Sequence, residues 1–246
     1  MASLPKPPAF QPVLHFGISP NARRRLLCTP QDSRIFTWLS IKVDHVKQMA
    51  ALRRVSARLT KTSAKHRMFG IRHGEALHNV VGAKYGPKVY EQFGDTTLTT
   101  KGMQQALEAH APQVDVVLVS PLMRTLQTAA IMYPDTPTIA LECLKEIPQH
   151  TEICNRRSSL SLLSRLFPKV DWSMITEEEQ LWPEYISIAL RKNQLREFVK
   201  SIPQQRVALV THSSWLHYYT TGSVEPETEL KHCFPYKLAN FDIFNP

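Results

Sequence analysis

The chain has 246 residues, 43% of them hydrophobic and 21% charged, with a formal net charge of +9. That length accommodates one α/β domain plus an extension rather than two large domains, and the composition is that of a globular chain. No run of about 18 or more apolar residues occurs, so no transmembrane helix is expected.

The positive charge is unevenly placed. Residues 1–65 carry five Lys and seven Arg against Asp32 and Asp44, a surplus of +10, whereas the remainder has 18 basic and 19 acidic residues, or −1. The body is near neutral, so nucleic-acid binding is not expected of it. Cys28, Cys143, Cys154 and Cys233 lie far apart, with no Cys-x-x-Cys pair and no zinc-ligand spacing. Free thiols in a reducing intracellular compartment fit that pattern.

The first thirty residues combine Pro5, Pro7, Pro8, Pro12, Pro20 and Pro30 with Arg23, Arg24 and Arg25. This mixture opposes both helix and strand, so disorder is expected, and the prolines interrupt any secretory apolar core. Ile35, Leu39, Val43, Val46 and Ala50 then recur three or four apart, which predicts a basic amphipathic helix. An acid-poor, Arg-rich leader of this kind suits an organellar transit segment, plastid or mitochondrial; an uncleaved tail on a cytoplasmic protein fits the same composition. Two units are expected: an extension over 1–65 and a domain over 66–246.

Within the body, Met68 to Ile71 predicts a buried strand and Leu98 to His110 a helix. Val114 to Val119 is a strand by its β-branched content, followed by a helix from Leu122 to Met132. A short strand from Thr138 to Leu141, a long helix from Tyr185 to Ser201 and a strand from Arg206 to Val210 come next. A helix start from Ser214 to Tyr219 and a closing strand from Leu238 to Phe244 complete the reading. Strands alternating with helices predict a three-layer α/β/α sandwich around a mostly parallel sheet.

Three polar clusters directly follow three of these strands: Arg72-His73-Gly74-Glu75, Ser120-Pro121-Leu122-Met123-Arg124 and Thr211-His212-Ser213. In open α/β sheets ligands bind outside the carboxyl ends of strands, so the clusters are expected to face one crevice. Their two histidines and two arginines suit a phosphoryl dianion. Arginine offers a rigid fork to phosphate oxygens and keeps its charge. Histidine can attack phosphorus through one ring nitrogen while a carbonyl holds the other. A second imidazole can stabilise charge in the transition state, and with two arginines present no metal or other cofactor is required.

Arg72-His73-Gly74-Glu75-Ala76-Leu77-His78-Asn79, Asp95-Thr96-Thr97-Leu98-Thr99-Thr100-Lys101-Gly102, Ser120-Pro121-Leu122-Met123-Arg124-Thr125 and Val210-Thr211-His212 stand in that order. Together they resemble the histidine phosphatase superfamily, also called phosphoglycerate mutase-like. The resemblance implies that His73 is the nucleophile, that Arg72, Arg124 and His212 complete the phosphate pocket, and that Asn79 lies beside it. It also implies a carboxyl acid. Glu146, in Leu144-Lys145-Glu146, fits the family's Leu-x-Glu spacing, and Glu75 is the competitor. A carboxyl in this role must stay protonated near neutrality.

Two features depart from the family. Ser213-Ser214 stand where small glycines are common, and the segment from Asn79 to Asp95 lacks the Gly-Trp-x-Asp pattern of glycolytic mutases. The second departure favours hydrolysis over mutase chemistry. Arg156 and Arg157, in the insertion after Glu146, are candidates for a second anionic group of the substrate. Glu177-Glu178-Glu179 reads as a solvated helix start. His78 is an orienting or packing residue, and His15, His45, His110 and His150 receive no function. The expected activity is hydrolysis of a small phosphate monoester through a phosphohistidine. The alternatives are mutase-type phosphoryl transfer and a non-catalytic phosphate-binding module.

Overall fold

The computed structural model describes residues 67–148, 152–181, 184–222 and 230–238. The N-terminal extension with its expected helix, and all but Leu238 of the expected closing strand, lie outside the described residues.

In chain order the elements are β1 (Arg67–Arg72), α1 (Leu77–Tyr85), α2 (Thr100–Glu108), β2 (Val116–Val119), α3 (Met123–Met132) and β3 (Thr138–Ala140). They continue with α4 (Leu160–Leu166), β4 (Val170–Asp171), α5 (Glu184–Ser201), β5 (Arg206–Thr211), α6 (Ser213–Thr221) and β6 (Pro235–Lys237). Short 3-10 turns at Pro87–Glu91, Glu142–Leu144 and Ile153–Asn155 punctuate them. The sheet runs β4-β3-β2-β5-β1-β6. Every neighbouring pair is parallel except β1 and β6, which are antiparallel. β6 is an edge strand, where Pro235 interrupts no interior ladder.

Strand residues alternate faces, and that period divides the core in two. Val116, Leu118, Val207 and Leu209 pack with Leu195, Phe198 and Val199 of α5 and with Trp215, Leu216 and Tyr219 of α6. Val117, Val119, Ala208 and Val210 pack instead with Ala106 of α2, with Met123, Leu126 and Ala129 of α3, and with Leu163 of α4. Helices therefore cover both faces, and the fold is the three-layer sandwich with a mostly parallel sheet. Central strands buried on both sides read as continuous apolar runs, which is why β2 and β5 were visible in the sequence.

Register brings the strand ends together. Arg72 stands opposite Thr211 and Val119 opposite Val210, so His73, Ser120 and His212 leave the sheet side by side. The His73 amide donates to the Thr211 carbonyl at 3.0 Å and the Ser120 amide to that of Val210 at 3.1 Å, which extends the ladder into the loops.

Three elements differ from expectation. α1 was not predicted because its apolar residues follow no buried face; Leu77 and Val80 are 41% and 44% exposed. α4 and the two-residue β4 form within the segment read as an insertion. The predicted Leu98–His110 helix begins at Thr100, because Thr99 caps it by accepting from the Gly102 amide at 3.0 Å.

The loop after β1 lies directly on the first turn of α2. A Cβ on Gly74 would stand 2.4 Å from the Gly102 carbonyl oxygen, and one on Gly102 would stand 2.0 Å from the Glu75 carbonyl oxygen. Both obstacles are backbone and cannot swing aside. Gly102→Ala is expected to lower stability by roughly 1–3 kcal/mol or more, the range for overpacking a tight contact. Gly70→Ala should cost less, since its nearest neighbour is a Leu216 methyl carbon on a side chain that can rotate. Urea midpoints of the two variants check the order.

Candidate active site

β1 delivers His73 at its carboxyl end, with the ring 2% exposed. Its Nδ1 lies 2.7 Å from the Gly74 carbonyl oxygen. A carbonyl only accepts, so Nδ1 carries the proton and Nε2 keeps its lone pair. Burial, then the positive charge of Arg124 and the neighbouring His78, holds the ring well below the ordinary value of 6.5. The imidazole is neutral at neutral pH.

His212 leaves β5 fully buried, its ring 5.2 Å from that of His73 in an edge-on arrangement. Its Nε2 lies 2.8 Å from Ser120 Oγ, and its buried Nδ1 makes no hydrogen bond among the described residues. Burial, followed by Arg124 and His73, lowers its pKa well below 6.5. Arg124 occupies the first turn of α3 with no exposure. Nη1 donates to the Cys154 carbonyl at 2.7 Å and Nη2 to Asn155 Oδ1 at 2.8 Å, while Nε is buried without a hydrogen bond among the described residues. Arg72 donates from Nη1 to the Leu230 carbonyl at 2.6 Å and lies close enough to depress both His73 and His78. Two buried cations thus face two neutral imidazoles.

The two carboxylates differ sharply. Glu146 accepts from the Ile147 amide at 3.0 Å, the Trp215 amide at 3.0 Å and the Ser214 amide at 3.3 Å, so it caps the N-terminus of α6. Burial raises its pKa from 4.5, against the opposing pull of those amides and of Arg124. Three consecutive carbonyls before it are held by side chains: Cys143 by Trp215 Nε1 and Arg191 Nε, Leu144 by Thr211 Oγ1, and Lys145 by Arg191 Nη2. Glu75 instead accepts from Lys101 Nζ and Thr99 Oγ1, each at 2.8 Å. The Lys101 bond is the first cause of its lowered pKa.

Several expected site residues also hold partners within the protein. Asn79 Oδ1 accepts from the Ala76 amide at 3.0 Å, and its Nδ2 lies 3.2 Å from His78 Nε2, so both ends of its amide serve α1 and its neighbour. His78 completes that chain through Thr96 Oγ1 at 2.6 Å, and burial takes its pKa down to about 2. The Arg157 guanidinium donates to Glu142 Oε1 at 2.5 Å and to the Thr176 carbonyl at 2.6 Å. Arg156 has a buried Nε with no hydrogen bond among the described residues and adjoins Asn155, the partner of Arg124. Glu177 to Glu179 do not start a helix. Glu179 accepts from Lys145 Nζ and from the Arg157 amide, each at 2.8 Å, because a buried ammonium and a backbone donor replace the water that would solvate the carboxylate.

Other residues of the site were given no role from the sequence. Asp95, at φ 34°, accepts from the Met123 amide and the Ser158 amide, each at 2.7 Å, and so ties the first turn of α3 to the insertion. Asn155 orients Arg124. His232 places Nδ1 2.6 Å from the His73 carbonyl oxygen, with the two rings 5.7 Å apart. Spacing carries no sign of His232, which is 159 residues from the atom it bonds. Ser213-Ser214 need no glycine: among the described residues the non-glycine positions at positive φ are Asp95 and Cys233. No group of three or more His, Cys, Asp or Glu among the described residues is arranged to hold a metal ion. The cysteines among them, Cys143, Cys154 and Cys233, are free and buried.

Fold and site thus define an α/β protein with a histidine and arginine cluster at the carboxyl edge of its sheet. Residues 68–244 match the histidine phosphatase superfamily (branch 1), and the chain belongs to that superfamily. Phosphoglycerate mutase-like protein 1 of Arabidopsis thaliana is 28% identical over 203 residues, covering 64% of this chain and 71% of that one. A phosphoglycerate mutase-like protein of the same plant is 30% identical over 193 residues, covering 60% and 70%. Among solved structures, the ecdysone phosphate phosphatase of Bombix mori is 16% identical, with a TM-score of 0.48 and coverage of 70% and 88%.

The buried charge network supplies a test. Lys145 and Glu142 pair at 2.9 Å with side chains 0% and 3% exposed, whereas Lys101 of the Glu75 pair is 70% exposed. Lys145→Met should cost about 3–5 kcal/mol by stranding buried carboxylates. Lys101→Met should cost under about 1 kcal/mol. Chemical denaturation of both variants measures the difference.

Proposed function

We propose that this chain is a phosphomonoesterase that works through a phosphohistidine at His73 and takes a small phosphorylated substrate. The observation that carries the reading is the His73 ring itself. It is neutral, its Nδ1–H is held by the Gly74 carbonyl, and its Nε2 remains nucleophilic beside two buried arginines. The buried Arg124 Nε and His212 Nδ1 support it further, because such atoms call for a partner that a phosphoryl oxygen would provide to the former and, from a protonated oxygen, to the latter.

In the first step His73 Nε2 attacks phosphorus; the P–N bond forms, the P–O bond breaks, and the leaving oxygen takes the proton of the Glu146 carboxyl. In the second, water attacks the phosphohistidine, Glu146 accepts its proton, and inorganic phosphate leaves with His73 restored. Each step is easier than direct hydrolysis. Arg72 and Arg124 neutralise charge that spreads over the equatorial oxygens.

The reaction requires His73 deprotonated and Glu146 protonated at once. At ordinary values of 6.5 and 4.5 that combination is a minor species at every pH. Here burial moves the histidine down and the carboxyl up, each toward the form it needs. The opposite shift of Glu75, held ionised by Lys101, supports Glu146 as the acid.

The sign of the pH profile follows. Activity should fall at low pH only well below 6.5, where His73 gains a proton, and should fall at high pH as Glu146 ionises above 4.5. Glu146→Gln should lower kcat for an alkyl phosphate by about 10²–10⁴-fold and should reshape the alkaline limb. In the phosphorylation step, read as the pre-steady-state burst of released leaving group, p-nitrophenyl phosphate should be affected far less, since that leaving group needs no proton. Equal losses in that step with both substrates would remove Glu146 from the acid role. His73→Ala should abolish turnover, and inorganic phosphate rather than an isomerised ester should be the product. An isomerised ester would favour the mutase reading.

A further inference from the structure

The peptide unit joining His73 to Gly74 is pinned at both ends by side chains from distant parts of the chain. The Gly74 amide donates to Thr128 Oγ1 at 3.0 Å, and the His73 carbonyl accepts from His232 Nδ1 at 2.6 Å. The next carbonyl, that of Gly74, holds the His73 ring at Nδ1. Glycine has little backbone stiffness of its own, so the direction of the Gly74 carbonyl is set from outside the turn.

His232 is delivered by backbone fastened on either side of it. The Leu230 carbonyl accepts from Arg72 Nη1 at 2.6 Å, and the Cys233 amide donates to the Arg72 carbonyl at 2.8 Å. Cys233 adopts φ 54°, an uncommon left-handed conformation for a side-chain-bearing residue, and that turn lets the chain pass β1 with His232 facing His73. The His73 ring is then flanked by three imidazoles, with centroids at 5.2 Å for His212, 5.7 Å for His232 and 5.8 Å for His78.

We infer that His232 is a positioning residue for His73: its Nδ1–H holds the 73–74 peptide, which aims the Gly74 carbonyl and so fixes the ring nitrogen that carries the proton. Its kinetic consequence rests on the reading of His73 as nucleophile, whereas the tautomer can be observed without any turnover. Thr128 forms the second pin and also donates to the Arg124 carbonyl at 2.7 Å, so the same clamp ties the turn to α3.

The full chain, labelled with ¹⁵N-histidine, is compared with His232→Ala and His232→Asn, the latter keeping a short N–H donor in place of Nδ1. Long-range ¹H–¹⁵N spectra are expected to give His73 a single Nδ1–H tautomer in the parent and in His232→Asn, and a mixture in His232→Ala. With p-nitrophenyl phosphate, His232→Ala should lose about 10- to 100-fold in kcat, the size of effect expected from misplacing a reacting group. KM should change by less than about threefold, and His232→Asn should recover most of kcat.

His232→Ala with a single tautomer and parental kcat would overturn the inference. A folded His232→Asn with the same defect as His232→Ala would overturn it too, because the donor would then be irrelevant. If the parent turns over no phosphate ester while the tautomer responds as stated, the proposed function fails and the positioning role stands.

Discussion

The structure depends on a crossing of two backbones. The turn that follows β1 rests on the first turn of α2 so closely that neither Gly74 nor Gly102 has room for a methyl group. Glu75 is bound there through backbone and side-chain contacts: its amide to Gln105 Oε1, its carbonyl to the Thr99 amide, and its carboxylate to Lys101 and Thr99 Oγ1. This contact presses His73 against the end of the sheet and brings the Gly74 carbonyl to its ring. A wider turn would leave His73 free to choose either tautomer.

Around that turn, burial and charge work in opposite senses. Removing two arginines from water is costly, and each is oriented by backbone carbonyls that solvate it in place of water. The same dry surroundings keep His73 and His212 neutral and push Glu146 toward its protonated form. Glu142, Lys145, Arg157 and Glu179 close a second buried network behind Glu146, and Arg191 binds the carbonyls beside it. Glu146 is thereby held on a rigid frame although it lies outside regular secondary structure.

The sandwich and the strand ends were legible because β2 and β5, buried on both faces, read as uninterrupted apolar runs. The charged clusters that follow them could then be assigned to one edge. α1 was not legible, since Leu77 and Val80 point to solvent and its start depends on Asn79 capping Ala76. The partners of the Arg157 guanidinium were not legible. The Glu142 carboxylate and the Thr176 carbonyl come from separate segments, and nothing local to the arginine reports them. His232 was invisible for the same reason: its partner is a backbone atom 159 residues away in the chain. Pattern locates elements, but the assignment of a polar side chain to ligand or scaffold is made by tertiary contacts.

The proposed chemistry turns on one atom, Nε2 of His73. Rapid alkaline quenching of the full chain during turnover of a phosphate monoester, followed by peptide mass spectrometry and ³¹P NMR, reads it directly. An acid-labile phosphoramidate on the peptide carrying His73, forming and decaying at rates compatible with kcat, is the expected result. Sustained hydrolysis with no phosphoramidate at any time, or with the phosphoryl group on another residue, would contradict it.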